Sequence, residues 1–164
     1  MPRAARRWGG HVELSALLVI AGCGYGFATG TARLPPGAEH VFVRPFENHT
    51  TDADAGALIA ASLRQELARR HAEGGTQARA RIEGTIEDTS FYASSPNGAT
   101  YRLALVVSAR LLVDGKVVSE QRAERDEDWL AGIDPLESEG RRQLAMRRAA
   151  ATLAREILNR FERP

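Results

Sequence analysis

The strongest constraint on the fold is a run of strict alternation that ends in a two-residue turn. From Tyr101 to Val113 the apolar side chains recur at every second position, which is the period of a β-strand with one buried face. The positions expected to face inward are Leu103, Leu105, Val107, Ala109 and Leu111. Asp114-Gly115 follows directly, and this dipeptide favours a tight hairpin turn because both residues tolerate a positive φ. A second, antiparallel strand is therefore expected from Lys116 to about Asp128.

Two further strands are predicted upstream of this hairpin. Residues 40–46 alternate around Val41 and Val43, and Pro45 indicates a sheet edge or the end of a strand. Residues 78–91 alternate in the same way and lead into a turn at 95–98. The side expected to be buried in this longer strand carries Ala80, Ile82, Gly84 and Ile86.

Two segments show the helical period instead. Between Ala55 and Arg70 the apolar positions recur every three to four residues, several N-cap candidates precede them at 48–52, and Gly74-Gly75 is expected to end the helix. The second helix is predicted to begin at Asp134-Pro135 and to continue to about Glu162. Its buried stripe is Met146, Ala150, Leu153, Ile157 and Phe161.

The order β-α-β-β-β-α predicts an α+β domain. A right-handed crossover makes the first two strands parallel, and the hairpins make the others antiparallel. The expected architecture is thus a four-stranded mixed sheet with two helices packed on one face. The opposite face presents polar and apolar side chains from the third strand and is expected to be free for a partner. These side chains are Arg102, Ala104, Val106, Ser108, Arg110 and Leu112.

The N-terminal 22 residues have the layout of an export signal. Three arginines precede a short apolar stretch from Leu14 to Ile20, and small residues follow. The apolar stretch is far shorter than the roughly 20 residues that span a bilayer. Residues 20–23, Ile-Ala-Gly-Cys, resemble the lipobox of bacterial lipoproteins, in which the cysteine is acylated and becomes the first residue of the mature chain. The alternative is an ordinary signal peptide with an unrelated cysteine.

This interpretation divides the chain into three parts. Residues 1–22 are the lipoprotein signal peptide, residues 23–40 are a lipidated, glycine-rich tether, and residues 41–162 form a single α+β domain. Cys23 is the only cysteine, so the exported domain has no disulfide. In lipoprotein sorting an aspartate after the cysteine favours the inner membrane. Gly24 stands there instead, which favours an outer-membrane location for the lipid-anchored protein.

Charge and motif content argue against a nucleic-acid protein and against an enzyme. The first 22 residues hold three of the 22 basic and one of the 21 acidic residues, so the mature chain has a net charge of about −1 rather than a basic excess. His40, His49 and His71 lack metal-ligand spacing, and neither a metal nor another cofactor is expected. The carboxylates at 124–128 are interpreted as a solvated edge rather than a catalytic pair, and Trp129 as a cap on the sheet end.

Short motifs in a fixed order resemble the lipopolysaccharide-assembly outer-membrane lipoprotein family (LptE). They are Cys23-Gly24-Tyr25, Leu34-Pro35, Val41-Phe42-Val43, Phe46-x-Asn48-x-Thr50, Ala80-Arg81-Ile82-Glu83-Gly84 and Tyr101-Arg102-Leu103, followed by a long Ala- and Arg-rich helix. The resemblance covers essentially the whole mature chain. It implies two helices on one face of a four-stranded sheet, which agrees with the fold derived above.

The resemblance also implies a role without covalent chemistry. Family members sit inside a large outer-membrane β-barrel (LptD), face the periplasm and the barrel lumen, and help to move lipopolysaccharide to the outer leaflet. Basic residues near one end of the family domain are implicated in contact with lipopolysaccharide phosphates. In this chain the turn at 94–100 holds no basic residue, and the nearest candidates are Arg102, Arg125, Arg141 and Arg142. Their guanidinium groups have paired donors that suit phosphate.

Two other functions remain open from the sequence. An envelope lipoprotein of an oligomeric secretion assembly, of the CsgG type, shares the short strand with Phe-x-Asn-x-Thr followed by a helix. Such a chain is expected to be longer and to carry membrane-spanning hairpins, which we do not find here. An envelope hydrolase is the other alternative, and it requires a convergent catalytic set that the sequence does not supply.

Overall fold

The hairpin predicted at Asp114-Gly115 forms the centre of the domain. The computed structural model describes residues 34–96 and 98–163. Strand β4 (Thr100–Val113) pairs antiparallel with β5 (Lys116–Leu130), and the turn residues Asp114 and Gly115 have φ of 50° and 80°. Positive φ at both central positions is the geometry that an Asp-Gly turn favours. The hairpin prediction is therefore confirmed.

The other strands add to the free side of β4. Strand β3 (Ala80–Ala93) pairs antiparallel with β4, and β1 (Val41–Val43) pairs parallel with β3. A two-residue strand β2 (Glu47–Asn48) also pairs parallel with β3, so the order across the sheet is β1-β3-β4-β5 with β2 beside β3. The predicted α+β class with a mixed sheet is confirmed.

The predicted strand count of four is corrected to five. The segment 40–46 was expected to form one strand, but pairing stops after Val43 and resumes at Glu47. Pro45 lies in the gap, and proline lacks the N–H that a continuous ladder requires. One expected edge strand is therefore two short strands.

Helix α1 (Ala55–Arg69) has nearly the predicted bounds, but the residues that form its two ends differ from the prediction. Its N-cap residue Asp54 makes no side-chain capping bond, although 48–52 offered several candidates. Asn48 instead orders the preceding loop, since its side-chain amide donates to the Asp52 carbonyl and its Oδ1 accepts from Thr50. At the other end His71 has a φ of 57°, so the helix ends there and not at Gly74-Gly75.

Helix α2 (Pro135–Phe161) begins as the sequence predicts. Asp134 is the N-cap, its Oδ1 accepts from the Glu137 backbone N–H at 2.8 Å, and Pro135 occupies the first turn. The cap satisfies one of the backbone donors that every helix start leaves without a partner. The helix extends for 27 residues, roughly 40 Å at 1.5 Å per residue.

Both helices pack on one face of the sheet, and they run parallel. Arg142, near the start of α2, contacts Asp52 before α1, whereas Asn159, near the end of α2, contacts Arg70 at the end of α1. The core between the layers is built from fully buried apolar side chains. The largest are Phe161, Ile59, Leu63, Leu67, Ile82, Ile86, Leu103, Leu105, Leu111, Leu153, Ile157 and Leu158.

Two irregularities shift the strand register. One lies between Ile86 and Asp88 in β3, where Glu87 is the extra residue, and the other lies between Leu111 and Leu112 in β4, opposite Val118. Each extra residue reverses which side chains face the helices in the rest of the strand. The first therefore turns Phe91 toward the helix side, where its backbone pairs with Leu103.

Candidate functional site

The end of β3, the start of β4 and the end of β5 lie together, as the predicted topology requires. Ser94 N–H donates to the Thr100 carbonyl at 2.8 Å, and Ala131 N–H donates to the Ala99 carbonyl at the same distance. The turn at 94–100 and the loop before α2 are thus hydrogen-bonded neighbours. This end of the domain is opposite the Asp114-Gly115 turn.

Three aromatic rings form a cluster here, which we call the aromatic end: Phe91, Tyr101 and Trp129. Tyr101 stacks on Trp129 with ring centroids 5.5 Å apart at 22°, and Phe91 meets Trp129 edge-on at 6.0 Å and 78°. Both are favourable ring arrangements. Trp129 is buried while Phe91 and Tyr101 are partly exposed, so the tryptophan caps the core and its two neighbours meet solvent.

The loop beside the aromatic end exposes large apolar side chains. Leu130 and Leu136 are mostly exposed, and Ile133 is 96% exposed. The loop is nonetheless held in place: Ile133 N–H donates to Glu137 Oε2 at 2.7 Å and Gly132 N–H to Ser138 Oγ at 2.9 Å. The loop backbone is therefore held in place, and no element among the described residues covers these side chains.

Arg102, one of the four predicted arginines, is occupied by a carboxylate. Its Nε and Nη2 donate to the two oxygens of Asp128 at 2.7 and 2.9 Å across the β4–β5 ladder. The guanidinium holds the pKa of the Asp128 carboxyl below its ordinary value. Arg102 therefore lies on the face away from the helices in a bidentate ion pair with Asp128. This pair uses the same two guanidinium donors that a phosphate would need.

Arg141 and Arg142 lie beside the aromatic end, and both also hold acidic groups. Arg141 contacts Glu137 at 2.6 Å and donates to the Ala131 carbonyl at 2.9 Å. Arg142 binds Asp52 at 2.7 Å and Glu139 at 2.8 Å, and its guanidinium carbon lies 5.0 Å from the Phe91 ring centroid. Arg142 thus connects the loop before α1, the first turns of α2 and the end of β3.

Arg125 is separate from the other three candidates. It pairs with Leu105 in the ladder and so points to the helix side of β5, opposite to Arg102. Its one ion pair with a described residue is a long one, 3.9 Å to Glu127, which also binds Arg148 at 2.8 Å. The structure brings Arg141 and Arg142 together at the aromatic end, but the four arginines do not share one surface.

The sheet face away from the helices is a set of cross-strand ion pairs. Glu83 lies within 3.5 Å of Arg44, Arg81 and Arg110, and Arg122 binds Glu87 at 2.8 Å. No helix covers this face in the described part of the chain, but its arginines already have carboxylate partners, and Glu83 alone serves three of them. Val106 and Leu112 are also largely buried among their neighbours. The face is therefore less open than the sequence suggested.

The Arg142–Glu139 pair leads to a prediction about pH. Hydrogen bonds from Arg142, followed by Gln143, lower the pKa of Glu139 from its ordinary 4.5 to about 2. A depressed pKa in the folded state stabilises the fold above about pH 4.5, and this contribution is lost as the pH falls toward 2. We expect Arg142→Met to return the Glu139 titration toward 4.5, measured by carboxyl carbon NMR.

The matched control for this titration is Arg147→Gln. Arg147 lies on the same helix and its side chain has no hydrogen bond or ion pair with the described residues, so its loss should leave the Glu139 titration near pH 2. A Glu139 midpoint that does not move in Arg142→Met would show that the pair does not set its ionisation.

The described residues hold neither a metal-binding group nor a membrane-spanning helix. No group of three or more His, Cys, Asp or Glu side chains there is arranged to hold a metal ion. No helix within residues 34–96 and 98–163 is long and apolar enough to cross a membrane. The predicted signal peptide and Cys23 lie outside the described residues, as does most of the tether at 23–40.

A family model described as "LptE: Lipopolysaccharide-assembly" matches residues 38–161. The chain belongs to this family. The match spans every strand and helix described above, so membership rests on the whole domain. The chain is accordingly a member of a lipopolysaccharide-assembly lipoprotein family of the bacterial envelope, a non-enzymatic family whose members associate with LptD.

Solved structures show the same fold at low sequence identity. A presumed lipoprotein from Caulobacter crescentus superposes with a TM-score of 0.59 at 18% identity, covering 77% of this chain and 90% of that one. The L103M variant of the PelC dodecamer from Paraburkholderia phytofirmans gives 0.55 at 18% identity with the same coverage. No curated protein sequence matches the chain.

Sequence reasoning missed the exposed apolar residues of this site. The arginines were found because guanidinium groups suit phosphate, but Ile133 and Leu136 lie where a strand gives way to a helix and follow neither period. The Asp134-Pro135 cap was the one available signal for these residues, because a fixed helix start also fixes the backbone of Ile133 and Leu136 on either side of it.

Proposed function

We propose that the chain is a non-enzymatic outer-membrane lipoprotein that partners a large LptD-like β-barrel and assists lipopolysaccharide assembly. Family membership over residues 38–161 supports the process, and the exposed apolar loop supports the partnership. Ile133 and Leu136 are exposed in the loop and first turn that follow Trp129, at the same end of the domain as the partly exposed rings of Phe91 and Tyr101. Exposed apolar patches of this kind on soluble domains mark interaction surfaces. The aromatic end and this loop are the surface that we assign to the barrel.

Membrane attachment is part of this proposal. Residues 1–22 would be removed as the signal peptide, Cys23 would carry the acyl chains, and residues 23–40 would connect them to the domain at 41–162. Two or three acyl chains, at about 0.8 kcal/mol per buried methylene, attach a protein stably to a bilayer. The absence of aspartate after Cys23 supports the outer membrane as the destination.

Contact with lipopolysaccharide phosphates is proposed for Arg102, Arg125, Arg141 and Arg142. Arg102, Arg141 and Arg142 already bind carboxylates at 2.6–2.7 Å, so phosphate binding there would exchange one anion for another. The guanidinium fork suits both anions. Arg125, with its long contact to Glu127, needs no such exchange. Phosphate is therefore expected to bind most strongly at Arg125, where it competes least with a carboxylate of the protein.

The test is an affinity purification of the tagged, lipidated protein from detergent-solubilised outer membrane. We expect a large β-barrel protein at equal stoichiometry, identified by mass spectrometry, with lipopolysaccharide in the same eluate. Recovery of the protein alone, or as rings without a barrel, would contradict the proposal.

Substitution of the apolar loop should weaken the barrel contact. Burying one large apolar side chain contributes roughly 2 kcal/mol, so the double variant Ile133→Asp/Leu136→Asp should reduce barrel recovery at least about ten-fold. Both side chains are more than 80% exposed (96% and 85%), so folding should not change. Recovery is measured as the ratio of barrel to bait in the eluate.

The matched control is Val117→Asp/Val118→Asp at the opposite end of the domain. These residues are also exposed, by 50% and 47%, and lie beside the Asp114-Gly115 turn. Their replacement should leave barrel recovery unchanged. Equal losses in the two double variants would indicate a general effect of added charge and would remove the loop from the interface.

The second candidate function is a subunit of an oligomeric envelope assembly. The specific observation in its favour is the likeness to the PelC dodecamer. The mass of the purified complex separates the two functions: a complex of one chain with one barrel supports the first, and a homo-oligomer of about twelve copies supports the second.

A further inference from the structure

A cavity of about 710 Å³ lies at the end of the domain opposite the aromatic end. It is partly open to solvent and lies between the first described residues and the ends of both helices. Its apolar lining is Leu34, Pro35, Pro36, Ala38, Ala72 and Phe161, and its polar lining is Glu39, Arg70, His71, Glu162 and Arg163. Its volume falls within the roughly 300–1,000 Å³ of small-molecule sites, which are also mostly apolar. The lining is therefore suited to a hydrocarbon ligand.

The two arginines that line the cavity differ in whether their guanidinium groups already have partners in the protein. Arg70 donates to Glu66, Asn159 and Glu162, so its guanidinium is occupied. Arg163 also lines the cavity, is exposed, and its side chain forms no hydrogen bond or ion pair with the described residues. One unoccupied cation next to an apolar cavity fits an amphipathic ligand with an anionic head.

The position of the cavity along the chain indicates the source of such a ligand. Leu34 lines the cavity and follows Cys23 by eleven residues. A chain of that length spans at most about 40 Å. If Cys23 carries the lipid anchor, as proposed above, the membrane surface lies within that distance of Leu34.

We propose that this cavity binds one acyl chain of an anionic phospholipid from the membrane that holds the anchor, with Arg163 contacting the headgroup phosphate. The inference rests on the proposed lipidation of Cys23 but not on the barrel partnership. Its consequence is a second, non-covalent contact with the bilayer that keeps this end of the domain at the leaflet that holds the anchor.

Photo-crosslinking tests the proposal on the full lipidated protein. The protein is reconstituted into phosphatidylethanolamine vesicles that contain phosphatidylglycerol with a diazirine in one acyl chain. After illumination, labelled residues are mapped by mass spectrometry. We expect labels on Ala72, Phe161 and the prolines at 35 and 36.

Two variants and one control decide the outcome. Ala72→Trp fills the cavity and should reduce labelling at least ten-fold. Arg163→Glu should reduce labelling by phosphatidylglycerol while the fold is retained. Ala61→Trp, on the exposed side of α1, should change neither the labelling nor the fold. Circular dichroism confirms that each variant is folded. Labelling that is absent, lies outside the cavity, or persists in folded Ala72→Trp would overturn the proposal, as would occupation of the cavity by the N-terminal residues of the chain. Barrel recovery with the same variants, purified from solubilised outer membrane, shows separately whether the proposed function holds.

Discussion

Replacing Arg70 by alanine is expected to lower the free energy of unfolding by about 3 kcal/mol. The guanidinium binds Glu162 at 2.6 Å, Glu66 at 2.9 Å and Asn159 at 2.8 Å, and so joins the end of α1 to the end of α2. Both carboxylate side chains are almost fully buried. Removing the cation leaves Glu162 without an ion-pair partner and leaves Glu66 with only the exposed Arg69. An unpaired buried charge costs far more than the ion pair itself contributes.

Urea denaturation followed by circular dichroism measures this effect, with the slope expected to stay unchanged. Arg64→Ala is the matched control, because Arg64 is exposed on the same helix and its side chain has no partner among the described residues. Its effect should be within about 0.5 kcal/mol. Adding Glu162→Gln to Arg70→Ala should recover part of the loss, because a neutral amide is easier to bury than a carboxylate. A loss below about 1 kcal/mol in Arg70→Ala would show that solvent replaces the guanidinium.

Gly84→Ala is expected to destabilise the domain by about 1–3 kcal/mol or more, as overpacking of a core does. A Cβ at this position would overlap the carbonyl oxygen of Ser108 and would lie 2.5 Å from Cε1 of Phe46 and 3.0 Å from Cα of Ala109. Two of these neighbours are backbone atoms that cannot move without breaking the β3–β4 ladder. Glycine is required here by the close approach of Phe46 over the strand.

Gly140→Ala provides a control of the opposite sign. Gly140 lies within α2, and a Cβ there would meet no atom within 4 Å. Alanine favours a helix over glycine by about 0.8–1.0 kcal/mol, so this variant should raise the melting temperature. Thermal unfolding of both variants checks the pair. A Gly84→Ala protein as stable as the wild type would show that strand β4 and the Phe46 ring can move far enough to admit the added methyl group without loss of stability.

The sequence was sufficient for elements whose signals are local. Asp114-Gly115 determines its own turn through two positive φ angles, and Asp134 with Pro135 determines the start of α2 through a cap and a missing N–H. The alternation in β4 is equally local, because burial of one face requires it. These elements, and therefore the α+β class, could be predicted from residues adjacent in the chain.

The register and the charge pairing could not be predicted in the same way. An unbroken ladder from the Asp114-Gly115 turn would place Arg102 opposite Glu127, whereas the extra residue Val118 moves it opposite Asp128. Likewise Phe91 reaches Trp129 because the bulge at Glu87 reverses the faces of β3. Bulges depend on packing across the whole sheet, and so the partner of each candidate arginine was not visible in the sequence.

The length of the central hairpin bears on the barrel partnership proposed above. Fourteen residues in β4, at about 3.3 Å each, make a ribbon roughly 46 Å long. The hydrocarbon core of a bilayer is only about 30 Å thick. A domain that stands lengthwise in a barrel lumen, with its anchor in the inner leaflet, is therefore tall enough to place Trp129 and Ile133 level with the outer leaflet. Such a domain would provide a continuous protein surface over the whole distance that a glycolipid must travel.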